Sequence, residues 1–256
     1  MQLDYVRVTR SGDHVTITMD RPQQRNALSL AHLRELLAAF EQVAETDATG
    51  VVLAGNGPVF SAGHDFRDVA GKSLSEVRYL LQACAELMQL LHEVPQVVIA
   101  RVHALATAAG AQLVASCDLA VAADTAGFAA PGGKGGWFCH TPMVALARDI
   151  GRKRAVEMAV TGEVVDAATA LAWGLVNRVV PAGQLEAATC ELLTRATRGS
   201  RASKALGKSA LHHQITVGED DAYRYATEVM AAASQTPEAQ EGIASFLEKR
   251  PAVWPR

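Results

Sequence analysis

Two short glycine-containing turns hold the residue types with which a protein can polarise a carbonyl. The first is Phe60-Ser61-Ala62-Gly63-His64-Asp65-Phe66; the second runs from His103 through Ala108-Ala109-Gly110 to Leu113, ahead of Cys117-Asp118. Each follows an expected strand, which is where ligands collect in α/β sheets. Small residues at such a turn let a substrate approach the main chain, and the first N–H groups of the following helix lack internal partners and can donate to an anion. Two such groups converging on one oxygen form an oxyanion hole. Taken singly, either turn also has a plainer reading as a tight connection with close helix packing. A third segment, Gly132-Gly133-Lys134-Gly135-Gly136-Trp137-Phe138-Cys139-His140-Thr141-Pro142, adds an imidazole suited to acid–base work and a thiol that becomes nucleophilic only if its thiolate is stabilised. Cys139 as a buried thiol and His140 as a hydrogen-bonded structural residue are the alternatives, since no third group at a recognisable spacing orients either.

Other short matches fail. Gly71-Lys72-Ser73 and Gly207-Lys208-Ser209 resemble the end of a phosphate-binding loop, but the leading glycine is replaced by Phe66 and Ala202. Ser61 lacks the glycine that opens a nucleophile elbow. His92-Glu93 has no second histidine at zincin spacing, and His212-His213 has no carboxylate or thiol at ligand spacing, so no metal site is expected.

The elements that must position these turns are legible from periodicity. Val6–Arg10 and Val15–Met19 flank Ser11-Gly12-Asp13 as a hairpin, and Gly50–Ala54, Gln96–Val102 and Leu119–Ala123 read as further strands. Ser29 caps a helix whose Leu33, Leu36, Leu37, Phe40 and Val43 share one face, and Ser75 is expected to cap another bearing Leu80, Cys84, Leu87 and Leu91. The pattern changes near Thr141, after which the chain reads almost wholly helical, with Thr236-Pro237-Glu238 opening a last helix that runs to about Lys249. A mixed α/β core followed by a helical region is expected. The 256 residues are 49% hydrophobic, 20% charged and 5% aromatic, with net charge -3. That balance suits a globular chain with a sizeable core and gives nucleic acid no basic face to bind. The most apolar run, Val102–Cys117, contains His103 and Gln112 and is too short and polar to span a bilayer, so no membrane contact is expected. Four scattered cysteines and an N-terminus without an apolar core segment give the expectation of a reducing, cytoplasmic location.

In order and spacing, several motifs together resemble the crotonase family of enoyl-CoA hydratases and isomerases: Arg21-Pro22-Gln23-Gln24-Arg25-Asn26-Ala27-Leu28, Ser61-Ala62-Gly63-His64-Asp65, Ala108-Ala109-Gly110 with Cys117-Asp118, Thr161-Gly162-Glu163, Ala172-Trp173-Gly174-Leu175-Val176 and Gly242–Arg250. The resemblance spans nearly the whole chain. It implies an α/β spiral of ββα units over residues 1–198 and a helical C-terminal trimerisation region over 199–256, assembled as a homotrimer or homohexamer. It further implies an acyl-CoA thioester as ligand, with coenzyme A part of the substrate and no tightly bound cofactor. Carried over by position, the oxyanion hole is made by the backbone N–H of His64 and Ala109. Arg25, Ala27, Leu28 and Ala62 match positions around the CoA, Arg67 a basic position beside it, and Phe246 and Lys249 match residues that reach the CoA of a neighbouring subunit.

The sequence departs from the family where water must be activated. Hydration of an enoyl thioester needs carboxylates to manage the water and the α-carbon proton. The family's first glutamate position holds Gln112, and the second, after Phe128-Ala129-Ala130-Pro131, holds Gly132. An amide has no useful basicity near neutral pH, and losing such a base costs on the order of 10²–10⁴ in rate. The Phe-Cys-His-Thr-Pro stretch resembles an enoyl-CoA hydratase domain-containing subgroup that also lacks both glutamates. Three readings follow. One is an acyl-CoA enzyme working by enolate stabilisation, with His140 the candidate replacement acid or base. The second is an acyl-CoA binding or regulatory protein without hydratase activity, and the third is an assembly scaffold that binds no CoA.

Overall fold

A computed structural model describes residues 3–254; Met1 and Gln2, at the head of the segment expected to carry no secretory signal, lie outside it. The chain opens with the expected hairpin, β1 (Val6–Ser11) against β2 (His14–Met19), antiparallel. Four strands then add in parallel: β3 (Gly50–Gly55), β4 (Val97–Val102), β6 (Leu119–Ala123) and β9 (Arg178–Val180), giving the order β1-β2-β3-β4-β6-β9. A second, smaller sheet pairs β5 (Ala106–Thr107) with β7 (Gly127–Ala129) in parallel and β7 with β8 (Val165–Asp166) antiparallel.

The central strands of the large sheet, β3, β4 and β6, are buried on both faces, which their sequence dictates. Strand β3 reads Gly-Val-Val-Leu-Ala-Gly, an unbroken apolar run of the kind parallel strands need. Alternation then sends Val51 and Leu53 into one core and Val52 and Ala54 into another. The first core packs α1 (Leu30–Ala44), α2 (Leu74–Glu93) and the fully buried α3 (Ala109–Ser116). The second receives α7 (Leu185–Thr197) through Leu185 and Leu193. Gly50 permits that approach, because a Cβ there would stand 2.6 Å from Leu193 Cδ1.

Connections repeat. Strand β4 leads to β5 and α3, and β6 leads to β7 and then α4 (Pro142–Ile150); each turn gives one strand to the large sheet, one to the small sheet, and a helix. After β3 the small-sheet strand is reduced to one residue, Ser61, bridged to Ala106. This is the spiral of ββα units that the resemblance implies.

Two expectations are corrected. Ser73, not Ser75, caps α2: its side chain accepts from the Glu76 N–H while the Glu76 carboxylate accepts from the Ser73 N–H. The chain after Thr141 is also not wholly helical, for β8 and β9 lie there and β9 completes the large sheet's edge. The other helices of this half are α5 (Arg152–Thr161), α6 (Ala167–Trp173), α8 (Arg201–Gln214), α9 (Glu219–Ala233) and α10 (Pro237–Leu247), the last capped by Thr236 as expected. Helices α8 and α9 bury no residue, and α10 buries only Ser245. Lys208 nonetheless ties α8 to the core, its Nζ 2.9 Å from both Asp118 Oδ2 and the Gln96 carbonyl. Among the described residues no helix is long and apolar enough to cross a membrane.

Candidate active site

The two glycine-containing turns, some 45 residues apart in sequence, are stitched together by the main chain. Ser61 C=O accepts from Thr107 N–H at 3.0 Å, and Leu105 C=O accepts from Phe60 N–H at 2.9 Å. Glycine is required at both points of contact. A Cβ on Gly110 would lie 2.5 Å from Ser61 O, and one on Gly63, which has φ +81°, would lie 2.9 Å from Thr107 O and 3.2 Å from Ala109 N. The Ala109 N–H opens α3 and therefore has no acceptor within the helix, and the His64 N–H makes no main-chain hydrogen bond among the described residues. These are the two amides that the family resemblance singles out, on adjoining turns.

Ala108, just before α3, carries a cost. Its φ of +52° and ψ of −118° lie where side chains other than glycine are strained. Ala108→Gly is expected to stabilise the protein by about 1 kcal/mol, raising its melting temperature by roughly 2–4 °C. Thermal unfolding of the two proteins side by side checks this.

A network missed by sequence reasoning holds the first turn. Asn26, fully buried with φ +49°, donates from Nδ2 to the carbonyls of Asn56 (2.8 Å), Val59 (3.1 Å) and Phe60 (3.0 Å), while its Oδ1 accepts from Arg21 N–H at 2.9 Å. Arg21 Nη1 donates to Ala27 O, Ser29 Oγ and Asp65 Oδ2. Asp65 also accepts a forked pair from Arg67 at 2.9 and 2.7 Å, which with Arg21 lowers its pKa to about 2. Arg67, expected beside CoA, thus already holds the turn that bears His64, although its side chain remains largely exposed. Leu28 is wholly buried and spends its N–H on Gly63 and its C=O on Asp65, so it positions this turn from beneath. Arg25 is exposed and its carbonyl accepts from the Ala62 N–H; Ala27 is half-buried.

Beside the turns lies a cavity of about 400 Å³. Ala62, His64 and Ala108 line it, and Gly132, Trp137 and His140 come from the glycine-rich segment. No aspartate, glutamate, lysine or arginine is among its lining residues. Gln112 and Ala109 are buried and do not line it, and the Gln112 Oε1 is without a hydrogen-bond partner. Both His64 ring nitrogens are buried and unpartnered, and burial lowers the ring's pKa, so the imidazole stays neutral and shielded from solvent. Cys139 is buried and burial raises its thiol pKa, which leaves no nucleophilic thiolate near neutral pH. His140 is exposed and tilted against Phe138 at 5.1 Å, with no side-chain hydrogen bond to orient it among the described residues. His103 bonds the Gly57 carbonyl at 2.8 Å, and Asp118 the Val98 N–H at 2.7 Å, both in structural roles. Phe246 and Lys249 stand at the exposed end of α10 and do not line the cavity of their own chain.

Comparison with known proteins agrees with this frame. Residues 11–256 match the family model described as enoyl-CoA hydratase/isomerase, and the chain belongs to that family. More narrowly, it is similar to enoyl-CoA hydratase domain-containing protein 3 of mouse, with 41% identity over 96% of this chain and 83% of the relative. Its fold superposes on the crystal structure of the human protein of that name with a TM-score of 0.94, at 38% identity over 98% of this chain and 100% of that one. An enoyl-CoA hydratase structure from Mycobacterium smegmatis is equally similar in fold, with TM-score 0.94 and 43% identity over 98% of each chain. The expectation of a cytoplasmic location is corrected: the relatives from mouse, rat, Xenopus laevis, human and zebrafish are all named as mitochondrial proteins.

Proposed function

We propose that this chain binds an acyl-CoA thioester with the thioester oxygen between the His64 and Ala109 amides, stabilising enolate character there, and that it is not a two-carboxylate hydratase. The observation that carries the reading is the juxtaposition of two adjoining amides without main-chain acceptors beside a cavity free of carboxylates. Preorganised N–H donors favour the enolate oxygen over the ground-state carbonyl because charge develops where they point. Nothing lining the cavity has the carboxylate basicity that hydration demands. A binding or regulatory role without turnover is a second reading, favoured by the unoriented imidazole of His140 and the shielded one of His64.

Arg25, Ala27, Ala62 and Arg67 are the groups of this chain proposed to flank the CoA. Phe246 and Lys249 are proposed to reach the CoA of a neighbouring copy in a trimer or a pair of trimers. The exposed apolar residues Leu211, Ile215, Met230, Phe246 and Leu247 on α8–α10 support such an assembly. No resident cofactor or metal is part of this proposal.

Calorimetry with butyryl-CoA and the loss of enoyl absorbance from crotonyl-CoA test the reading together. Micromolar binding of butyryl-CoA is expected, with hydration no faster than in buffer. Absence of binding to the folded protein overturns the acyl-CoA reading, and rapid hydration overturns the claim that the two-carboxylate chemistry is gone.

A further inference from the structure

We propose that the cavity selects flat acyl groups, aryl or conjugated, over flexible alkyl chains, and that Trp137 is the residue that imposes the choice; this rests on the acyl-CoA reading above. In a chain only 5% aromatic, three aromatic side chains and two imidazoles line this one cavity. The Trp137 ring lies 6.1 Å from the His64 ring, tilted by 45°, and 6.1 Å from the Phe66 ring, near edge-on at 63°. Phe138 and His140 form a second tilted pair, at 56°. No pair is stacked face to face, so the rings leave faces available to a third planar group, and π systems gain from such offset and edge contacts beyond the area they bury. An alkyl chain gains only the area.

The position of Trp137 is built into the loop. Its N–H donates to Gly132 O at 3.0 Å, closing the glycine-rich turn, and its own carbonyl lies where only a glycine at 132 leaves room. The lining offers no arginine or lysine to pair with an anion, which argues against acyl groups bearing a second carboxylate.

The test compares two nine-carbon thioesters, cinnamoyl-CoA and nonanoyl-CoA, by calorimetry on the wild-type protein, Trp137→Phe and Trp137→Ala. The wild type is expected to bind the flat thioester about tenfold more tightly, Trp137→Phe to retain most of that preference, and Trp137→Ala to lose it, the affinity for cinnamoyl-CoA falling about tenfold further than that for nonanoyl-CoA. Equal affinities in the wild type, or a preference for nonanoyl-CoA, overturn this proposal and leave the acyl-CoA reading standing. If neither thioester binds the folded protein, the acyl-CoA reading itself falls and this proposal with it. Should the alanine variant fail to fold, the wild-type ratio still decides. Quenching of tryptophan emission by cinnamoyl-CoA, present in the wild type and reduced in Trp137→Phe, supports the contact independently, and equal quenching in both overturns it.

Discussion

Asn26→Ala is expected to destabilise the protein by about 4 kcal/mol and to lower its melting temperature by roughly 10 °C. The side chain removed is fully buried and makes four hydrogen bonds, three from Nδ2 to the carbonyls of Asn56, Val59 and Phe60 and one accepted from Arg21 N–H. Deleting it leaves the buried Phe60 carbonyl without this partner, at about 1–3 kcal/mol, and removes a hydrogen bond from three part-buried backbone groups at about 0.5–1.5 kcal/mol each, with partial relaxation setting the total. Alanine must also hold φ +49°, which asparagine tolerates better. Asn26→Asp should be no milder, because it would face three carbonyl oxygens with a carboxylate while keeping the size and the left-handed tolerance. The loss should reach the site as well. Asn26 C=O accepts from Ser61 Oγ, and that hydroxyl in turn accepts from the Gly63 N–H, one residue before the His64 amide. Urea unfolding and butyryl-CoA calorimetry on both variants check the two effects. Unchanged stability would mean that the loop from Arg21 to Leu28 does not depend on this side chain.

Five of the large sheet's six strands were legible as β-branched or apolar runs bounded by turn residues, the three-residue β9 being missed, and α1 and α2 were legible because their apolar spacing is regular. The small sheet was not. Strands β5, β7 and β8 are two or three residues long, too short for any period to emerge, and Ser61 joins them through a single bridge. The cap of α2 was present in the sequence as Ser73-Leu74-Ser75-Glu76, and the reciprocal partner three residues on favours Ser73 over Ser75. Asn26 escaped notice for a physical reason: three of its four partners lie 30 to 34 residues away on a turn that no local rule places beside it. The pairing of the two glycine-containing turns was likewise invisible to spacing and came from resemblance to a family. Its physical cause, glycine at each point of backbone contact, is visible only in three dimensions. Residues such as Leu28 then prove to act from beneath the turn, where a motif match alone places them at the ligand.

Placing carboxylates at positions 112 and 132 is expected not to raise hydration of crotonyl-CoA, and the reason lies in the loop. A Cβ on residue 132 would sit 2.2 Å from Trp137 O, 2.8 Å from Cys139 Sγ and 3.1 Å from Cys139 N. Two of those atoms are backbone, so Gly132→Glu must unpack the segment from 132 to 139 and is expected to cost about 3 kcal/mol or more. Trp137 and Phe138, which wall the cavity, would move with it. Gln112→Glu fails differently. Gln112 is 4% exposed, its Oε1 has no partner, and it does not line the cavity. A glutamate there would meet the burial penalty on its charged form and remain protonated near neutral pH, unfit to activate water. The double variant should therefore show crotonyl-CoA hydration no faster than the wild type, with a lower urea midpoint that comes mainly from position 132. Hydration appearing in a double variant of undiminished stability would show that the loop can rebuild around a side chain at 132. Failing that, the absence of a carboxylate at 132 and the glycine-closed loop go together: the loop that seats Trp137 over the cavity occupies the space that a larger side chain at 132 would need.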